Sequence, residues 1–158
     1  MKTSLFNDTI ENIRAAADII RDGGLVAFPT ETVYGLGADA LNSEAVSKVY
    51  AAKGRPSDNP MIVHIAETSE LAKLTDDINS DMQALMDAFW PGPMTMIVRR
   101  KDIVPDVTTG GLDTVGVRLP SSEVARTLIR ESGCPIAAPS ANISGRPSPT
   151  TAEHVIHD

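Results

Sequence analysis

Residues 25–37 have the sequence LVAFPTETVYGLG, and this stretch determines the fold that we expect. The apolar run from Leu25 to Phe28 ends at Pro29, a pattern typical of a buried strand that delivers a loop at its end. The loop that follows, over residues 29–37, is rich in polar residues and glycine. Open α/β sheets bind ligands beyond the ends of their strands, so this loop is a candidate wall of a pocket.

The patterns on either side of this stretch alternate between helix and strand and predict an α/β fold. Apolar runs predict further strands over residues 61–65, 94–99, 114–119 and 134–138. Helical spacing predicts helices over residues 8–22 and 43–53, two more within residues 67–89, and one around residues 124–129. We expect Ser43 to cap the second helix, and Gly54 and Gly133 to end the helices that precede them. Thr150, with Glu153 three residues later, forms a capping box that predicts a terminal helix.

The composition supports one α/β domain and excludes several classes of protein. The chain has 158 residues, 42% of them hydrophobic, which is enough to bury a core. One Trp, two Tyr and three Phe leave that core to aliphatic side chains, as in α/β layers rather than an aromatic-rich β-barrel. No apolar run approaches the roughly 20 residues that span a bilayer, and the first residues lack the pattern of a signal peptide. The single cysteine, Cys134, cannot form an internal disulfide, so we expect a protein of the reducing cytoplasm. Because the sequence also has no run that could span a bilayer, we expect no membrane partner.

The overall charge argues against a protein that coats nucleic acid. Lys and Arg number 14 against 21 Asp and Glu, a net charge of −7, whereas such binding depends on basic side chains that neutralise phosphates. An RNA-binding module stays open as an alternative, because five basic residues could form a patch: Arg99, Arg100, Lys101, Arg126 and Arg130. The scarcity of aromatic residues weakens this alternative, since single-strand binders also need stacking platforms.

A few basic residues occupy positions that suggest a local anion site. Lys53 and Arg55 lie at the expected end of a helix, although the helix dipole alone also favours cations there. Arg118 interrupts an apolar run, which favours a buried carboxylate or phosphate partner. His64 interrupts another apolar run, where a single histidine is usually a hydrogen-bonded core or edge residue.

A second polar loop, residues 139–149 with the sequence PSANISGRPSP, follows the apolar run at residues 134–138. Taken alone, such a Ser/Thr/Asn cluster more often stabilises a turn than binds a ligand. The sequence contains no Gly-x-x-x-x-Gly-Lys-Ser/Thr loop, no local acid partner for a serine or cysteine nucleophile, and no Cys/His cluster with metal-ligand spacing. If phosphate binds here, scattered basic groups and loop amides must hold it.

Five motifs in order along nearly the whole chain resemble the YrdC family, and within it the threonylcarbamoyl-AMP synthases. They are PTETVYGLG (29–37), KGRPSDNPMIVHI (53–65), WPGPMT (90–95), VRLP (117–120) and PSANISGRPSP (139–149). The resemblance implies a twisted, open, mixed sheet flanked by helices. It also implies a nucleotidyltransferase that joins L-threonine, bicarbonate and ATP into L-threonylcarbamoyl-AMP and releases pyrophosphate. The product would be the intermediate for the threonylcarbamoyladenosine modification of tRNA.

The same resemblance assigns roles to individual residues, with Lys53 and Arg55 as the catalytic pair. The implied ATP-binding residues are Arg55, Asn59, Thr114, Ser140, Asn142 and Ser148, and the implied threonine-binding residues are Thr32, His64, Arg118 and Ala138. The planar fork of Arg118 suits the carboxylate of the amino acid. We expect Mg²⁺ to arrive with ATP, held mainly through the phosphates, with no metal ligands from the protein.

The family also sets expectations for the domain and its partners. Its catalytic domain normally runs some tens of residues further, so we expect residues 1–158 to be a single YrdC-like domain that lacks its C-terminal part. The tRNA threonylcarbamoyl-transfer machinery is a possible partner. A non-synthase paralogue, or the carbamoyl-transfer domain of hydrogenase maturation proteins, is a second alternative. The Lys53-x-Arg55 and Ser140-x-Asn142 pairs favour the synthase.

Overall fold

The computed structural model describes residues 3–158 and is built on a mixed six-stranded sheet. The strands are β1 (Val26–Pro29), β2 (Tyr34–Asp39), β3 (Ile62–His64), β4 (Thr95–Arg99), β5 (Thr114–Arg118) and β6 (Ile136–Ala137). Their order across the sheet is β1-β2-β6-β3-β5-β4. The β3–β5 pair is parallel and the other neighbouring pairs are antiparallel. The expected α/β class and mixed sheet are therefore confirmed.

The helices flank this sheet and mostly agree with the predicted ones. They are α1 (Ile10–Arg21), α2 (Ser43–Lys53), α3 (Leu71–Leu74), α4 (Ser80–Phe89), α5 (Asp106–Thr109), α6 (Glu123–Ser132) and α7 (Ala152–His157), with a 3₁₀ turn at Thr68–Glu70. Gly54 and Gly133 adopt the left-handed conformation (φ 58° and 69°) that ends α2 and α6, as predicted. No helix within residues 3–158 is long and apolar enough to cross a membrane.

Several local predictions are wrong. Asn42 rather than Ser43 caps α2, because its side-chain oxygen accepts the amides of the first helical turn. Thr151 rather than Thr150 caps α7 in the same way. The stretch 29–37 is not one loop, since β2 begins at Tyr34 and pairs with β1 as a hairpin. The short helix α5 lies where no helix was predicted.

The two faces of the sheet are covered unequally. On one face, alternate strand residues such as Val63 and Val117 pack into the larger core, together with side chains of α2, α3 and α4. On the opposite face, α1 and α6 bury Phe28, Ile136 and Ala138, which lie in or beside β1 and β6. The rest of that face, which we call the open face, is formed by Ile62 and His64 of β3, Thr114, Gly116 and Arg118 of β5, and Thr95, Ile97 and Arg99 of β4. Ile97 in β4 is 75% exposed, whereas His64 and Arg118 are buried, so the described residues leave the face accessible at β4 and cover it at the other end.

We expect the cap of α2 to stabilise the protein through Asn42. Replacing Asn42 with alanine removes the acceptor for the amides of Glu44 and Ala45, at 3.1 Å each, and should lower the free energy of unfolding by about 1 kcal/mol. The matched variant Ser43→Ala should have little effect, because Ser43 is exposed. Urea denaturation of both variants checks this. A larger loss for Ser43→Ala than for Asn42→Ala would contradict the structure.

Candidate active site

The strand directions divide the open face into two ends. Because β3 and β5 are parallel, Ile62 and Thr114 lie toward one end, and Arg118 lies toward the other. Strand β6 runs antiparallel to β3, and the amide of Ala138 just beyond it donates to the carbonyl of Ile62 (3.0 Å). The loop after β6 therefore leaves the sheet beside Ile62. We call this side the Ser140 end and the other the Arg118 end.

Lys53 joins two distant motifs at the Ser140 end. It is the last residue of α2 and only 3% exposed, and its ammonium donates to the carbonyl oxygens of Ser140 and Asn142. The amide of Ser144 in turn donates to the carbonyl of Lys53 (3.0 Å). Burial lowers the pKa of Lys53, the nearby charge of Arg55 lowers it further, and Asp158 opposes this change.

Arg55 lies close to Lys53 but bonds to a different loop. Its Nε donates to the carbonyl of Asn59 (3.4 Å), and its Nη2 donates to that of Pro60 (3.1 Å). No hydrogen bond within the described residues connects the Arg55 guanidinium to the Ser140 loop. The structure therefore brings the Lys-x-Arg pair to this end, but only Lys53 bonds directly to the second motif.

The Ser140 loop has a fixed shape. The hydroxyl of Ser140 donates to Oδ1 of Asn142 (2.5 Å), and Nδ2 of Asn142 donates to the carbonyl of Arg146 (2.9 Å). Backbone bonds also connect this loop to the β1–β2 hairpin, from Ala141 to Tyr34 (2.8 Å) and from Tyr34 to Pro149 (2.8 Å). The Ser-x-Asn side chains thus form a turn here, and that turn lies at the Ser140 end of the sheet.

Arg118 and His64 form the other end and hold unused hydrogen-bonding groups. Nη2 of Arg118 pairs with the carboxylate of Glu31 (2.7 Å) and donates to the hydroxyl of Thr32 (3.3 Å). Nε of Arg118 and Nδ1 of His64 are buried and have no partner among the described residues. Buried polar atoms in native proteins normally have partners, so this pair of atoms indicates a place for a polar ligand.

The charges at the Arg118 end are set by burial and by the ion pair. Burial lowers the pKa of His64 to about 4, and the positive charge of Arg118 adds to this effect, so the imidazole is neutral at pH 7. For Glu31, burial acts to raise the pKa, but the hydrogen bond from Arg118 and backbone amides outweigh burial and leave the pKa below its ordinary value. Arg118 and Glu31 are therefore a charged pair beside a neutral histidine.

The other predicted site residues are Thr114, Ala138, Asn59 and Ser148, and they are spread over several elements. Thr114 shares the open face with Arg118, at the opposite end of β5. Ala138 is buried beside Gly35, and the carbonyl of Asn59 accepts from Arg55. Ser148 is exposed on the loop that leads to α7. The roles implied for these residues stay predictions.

Two residues of this site were not identified from the sequence. Glu31 lies inside the PTETVYGLG motif, and a carboxylate in a loop beside a pocket could have been matched to the unexplained Arg118. Gly116 lies in the middle of the open face, where a Cβ would approach Cγ2 of Thr95 to 3.2 Å. A glycine inside an apolar strand often marks a close approach by a ligand or another backbone, and this signal was available.

The alternative of a basic RNA-binding patch is not supported by the structure. Four of its five residues form ion pairs with carboxylates. The pairs are Arg100 with Asp106, Lys101 with Asp76, Arg126 with Glu67 and Glu123, and Arg130 with Glu67. Their charges are largely compensated, which leaves little to neutralise phosphates.

The structure is a mixed α/β sheet with a buried lysine, Lys53, at the Ser140 end and a buried arginine, Arg118, at the other. A family model described as telomere recombination (Sua5, YciO and YrdC) matches residues 18–158. The chain therefore belongs to the Sua5/YciO/YrdC family, which confirms the resemblance drawn from its motifs.

Similar proteins agree with this assignment. The chain is 58% identical over 146 residues to the threonylcarbamoyl-AMP synthase of Pyrococcus abyssi, covering 92% of the chain and 43% of the relative. It is 58% identical over 147 residues to that of Bacillus subtilis, covering 92% of the chain and 42% of the relative. The crystal structure of P. abyssi Sua5 complexed with L-threonine is similar as well, with a TM-score of 0.93 and 56% identity over 95% of this chain and 44% of that one. The chain thus spans less than half the length of these relatives.

We expect His64 to make the stability of the protein depend on pH. Because its pKa of about 4 lies below the roughly 6.5 of an unfolded histidine, acidification protonates the unfolded chain first. From pH 6.5 to pH 4, the wild type should lose up to roughly 3 kcal/mol of stability relative to His64→Gln. Urea denaturation across this range, with NMR titration of the imidazole, checks this. An imidazole that titrates near pH 6.5 in the native state would contradict it.

Proposed function

We propose that this chain carries the site at which L-threonine, bicarbonate and ATP become L-threonylcarbamoyl-AMP, with release of pyrophosphate and water. The observation that carries the proposal is the bond between Lys53 and the Ser140 loop, which joins both nucleotide-binding motifs at one end of the open face. Arg118 and His64 lie at the other end of the same face. The names of the curated relatives support the same activity.

The Ser140 end suits the nucleotide. The reaction joins a carbamate anion to the α-phosphate of ATP and expels pyrophosphate, so cations must neutralise charge that develops on these groups. Lys53 and Arg55 supply two cations there, and Asn59, Thr114, Ser140, Asn142 and Ser148 are the further residues that we assign to ATP. Holding the two anions together accounts for much of the catalysis, because the protein need not form a covalent bond to either.

The Arg118 end suits the amino acid. The guanidinium can hold a carboxylate through its unpartnered Nε, and the hydroxyl of Thr32 lies beside it. His64 is neutral and can bond to a polar group without adding charge. We assign Thr32, His64, Arg118 and the backbone at Ala138 to threonine.

We propose that Mg²⁺ accompanies ATP and is held mainly through the phosphates. Within residues 3–158, no group of three or more His, Cys, Asp or Glu side chains could hold a metal ion. The donors at the Ser140 end are cations, amides and hydroxyls, which fit a metal that is already bound to the triphosphate. When bound, the ion would help to neutralise the phosphates. The product would serve the tRNA threonylcarbamoyl-transfer machinery in the cytoplasm.

We expect the protein to release pyrophosphate from ATP only when threonine and bicarbonate are both present. The adenylated group is the carboxylate of the carbamate, so the acceptor does not exist until both substrates have combined. A coupled pyrophosphate assay in which each substrate is omitted in turn checks this expectation. Release that does not depend on threonine would remove the proposed function.

We expect Arg55→Ala to lower turnover at least 100-fold, equivalent to about 2.7 kcal/mol of barrier, because one of the two cations that we assign to the phosphates is lost. The melting temperature should change little. Lys48→Ala is a matched control, since Lys48 is a charged residue seven positions before Arg55 that bonds to the carbonyl of Gly23 (2.9 Å) outside the site. Pyrophosphate assays and thermal melts of both variants provide the measurement. Unchanged turnover of Arg55→Ala would show that Arg55 is not catalytic, and a loss explained by unfolding would assign it a structural role.

A further inference from the structure

Glu31 is a charged residue of the site to which the proposed function gives no role. It lies at the tip of the β1–β2 hairpin, and its Oε1 is 2.7 Å from Nη2 of Arg118. Its side chain is 21% exposed and that of Arg118 is 10% exposed, so the pair is much less screened than a surface ion pair. A partly buried carboxylate that contacts the predicted ligand-binding arginine has a direct influence on what that arginine can bind.

The hairpin tip holds Glu31 in place. The hydroxyl of Thr30 donates to the carbonyl of Val33 (2.6 Å) and accepts from the amides of Thr32 and Val33 (3.2 Å each). These bonds form a closed turn around Glu31. The hydroxyl of Ser122 also donates to the carbonyl of Pro29 (3.0 Å) and ties the hairpin to the start of α6.

The ion pair leaves one hydrogen-bond donor of Arg118 without a partner. Glu31 and Thr32 both contact Nη2, whereas Nε is buried and has no partner among residues 3–158. A ligand carboxylate at Nε would therefore lie on the same guanidinium as the carboxylate of Glu31. Two carboxylates this close repel each other unless a positive group of the ligand lies near Glu31. The ammonium group of an α-amino acid is next to its carboxylate and can take that position.

We propose that Glu31 is a specificity-determining residue: it orients Arg118 and selects ligands that carry an ammonium group beside their carboxylate. This inference rests on the proposed function, because it takes the Arg118 end as the place where threonine binds. The Arg118–Glu31 pair has no net charge, and neither has a zwitterionic amino acid. A hydroxy acid of the same shape has only the carboxylate, so Glu31 disfavours it.

Calorimetric binding of two probes tests the inference: L-threonine, and 2,3-dihydroxybutanoate, in which a hydroxyl replaces the amino group. The wild type should bind threonine at least tenfold more tightly than the hydroxy acid. Glu31→Gln should weaken threonine binding at least tenfold and abolish the preference, whereas Glu31→Asp, which keeps the charge, should retain a preference for threonine. Glu131→Gln is the matched control, since it breaks a carboxylate–arginine pair with Arg14 (3.1 Å) outside the site, and it should behave as the wild type.

The other outcomes distinguish a failure of this inference from a failure of the proposed function. A Glu31→Gln variant that keeps the preference for threonine would show that Glu31 does not sense the ammonium group. Tighter threonine binding by Glu31→Gln would show that Glu31 merely competes for Arg118. A wild type that binds neither probe would overturn the proposed function, and this inference with it, whereas the first two outcomes overturn the inference alone.

Discussion

The arrangement of the site depends on one buried ammonium group. Lys53 ends α2, and it bonds to two carbonyls of a loop nearly ninety positions further along the chain. Burying a charge is costly unless it is hydrogen-bonded, so this contact fixes where the helix ends relative to the loop. The hairpin that contains Glu31 is bonded to the same loop. The lysine thus connects, directly or through the loop, the elements that bound the open face.

The open face follows from how the helices are distributed. Helices α1 and α6 pack together over β1 and β6, and they leave β4 uncovered on that side, where Ile97 is 75% exposed. A sheet face with little cover normally carries polar residues, and here it carries Thr114 and Arg118 with Gly116 between them. The glycine removes the side chain that would otherwise fill the space. The result is a strip of β5 between Thr114 and Arg118 that has no side chain at its centre.

The ends of two helices could be predicted from neighbouring residues, whereas the caps at the starts of α2 and α7 were each placed one residue away from the observed cap. Gly54 and Gly133 end their helices as expected, because a left-handed residue after a helix is a local requirement. The start of β2 at Tyr34 could not be located, because glycines interrupt its apolar pattern and it forms through pairing with β1. The pairing of Arg118 with Glu31, 87 positions apart, depends on tertiary structure. The motif resemblance supplied candidate residues, whereas the unpartnered Nε of Arg118 and its ion pair with Glu31 required coordinates.

The connection between the hairpin and the Ser140 loop is made by the backbone. Tyr34 donates to Pro149, Ala141 donates to Tyr34, and Leu36 donates to Pro139, all through main-chain groups. Side-chain substitutions at these positions leave such bonds intact as long as the chain keeps its local conformation. Evolution can therefore alter the residues that touch a ligand on either segment without separating the two segments, and new ligand preferences can arise on an unchanged frame.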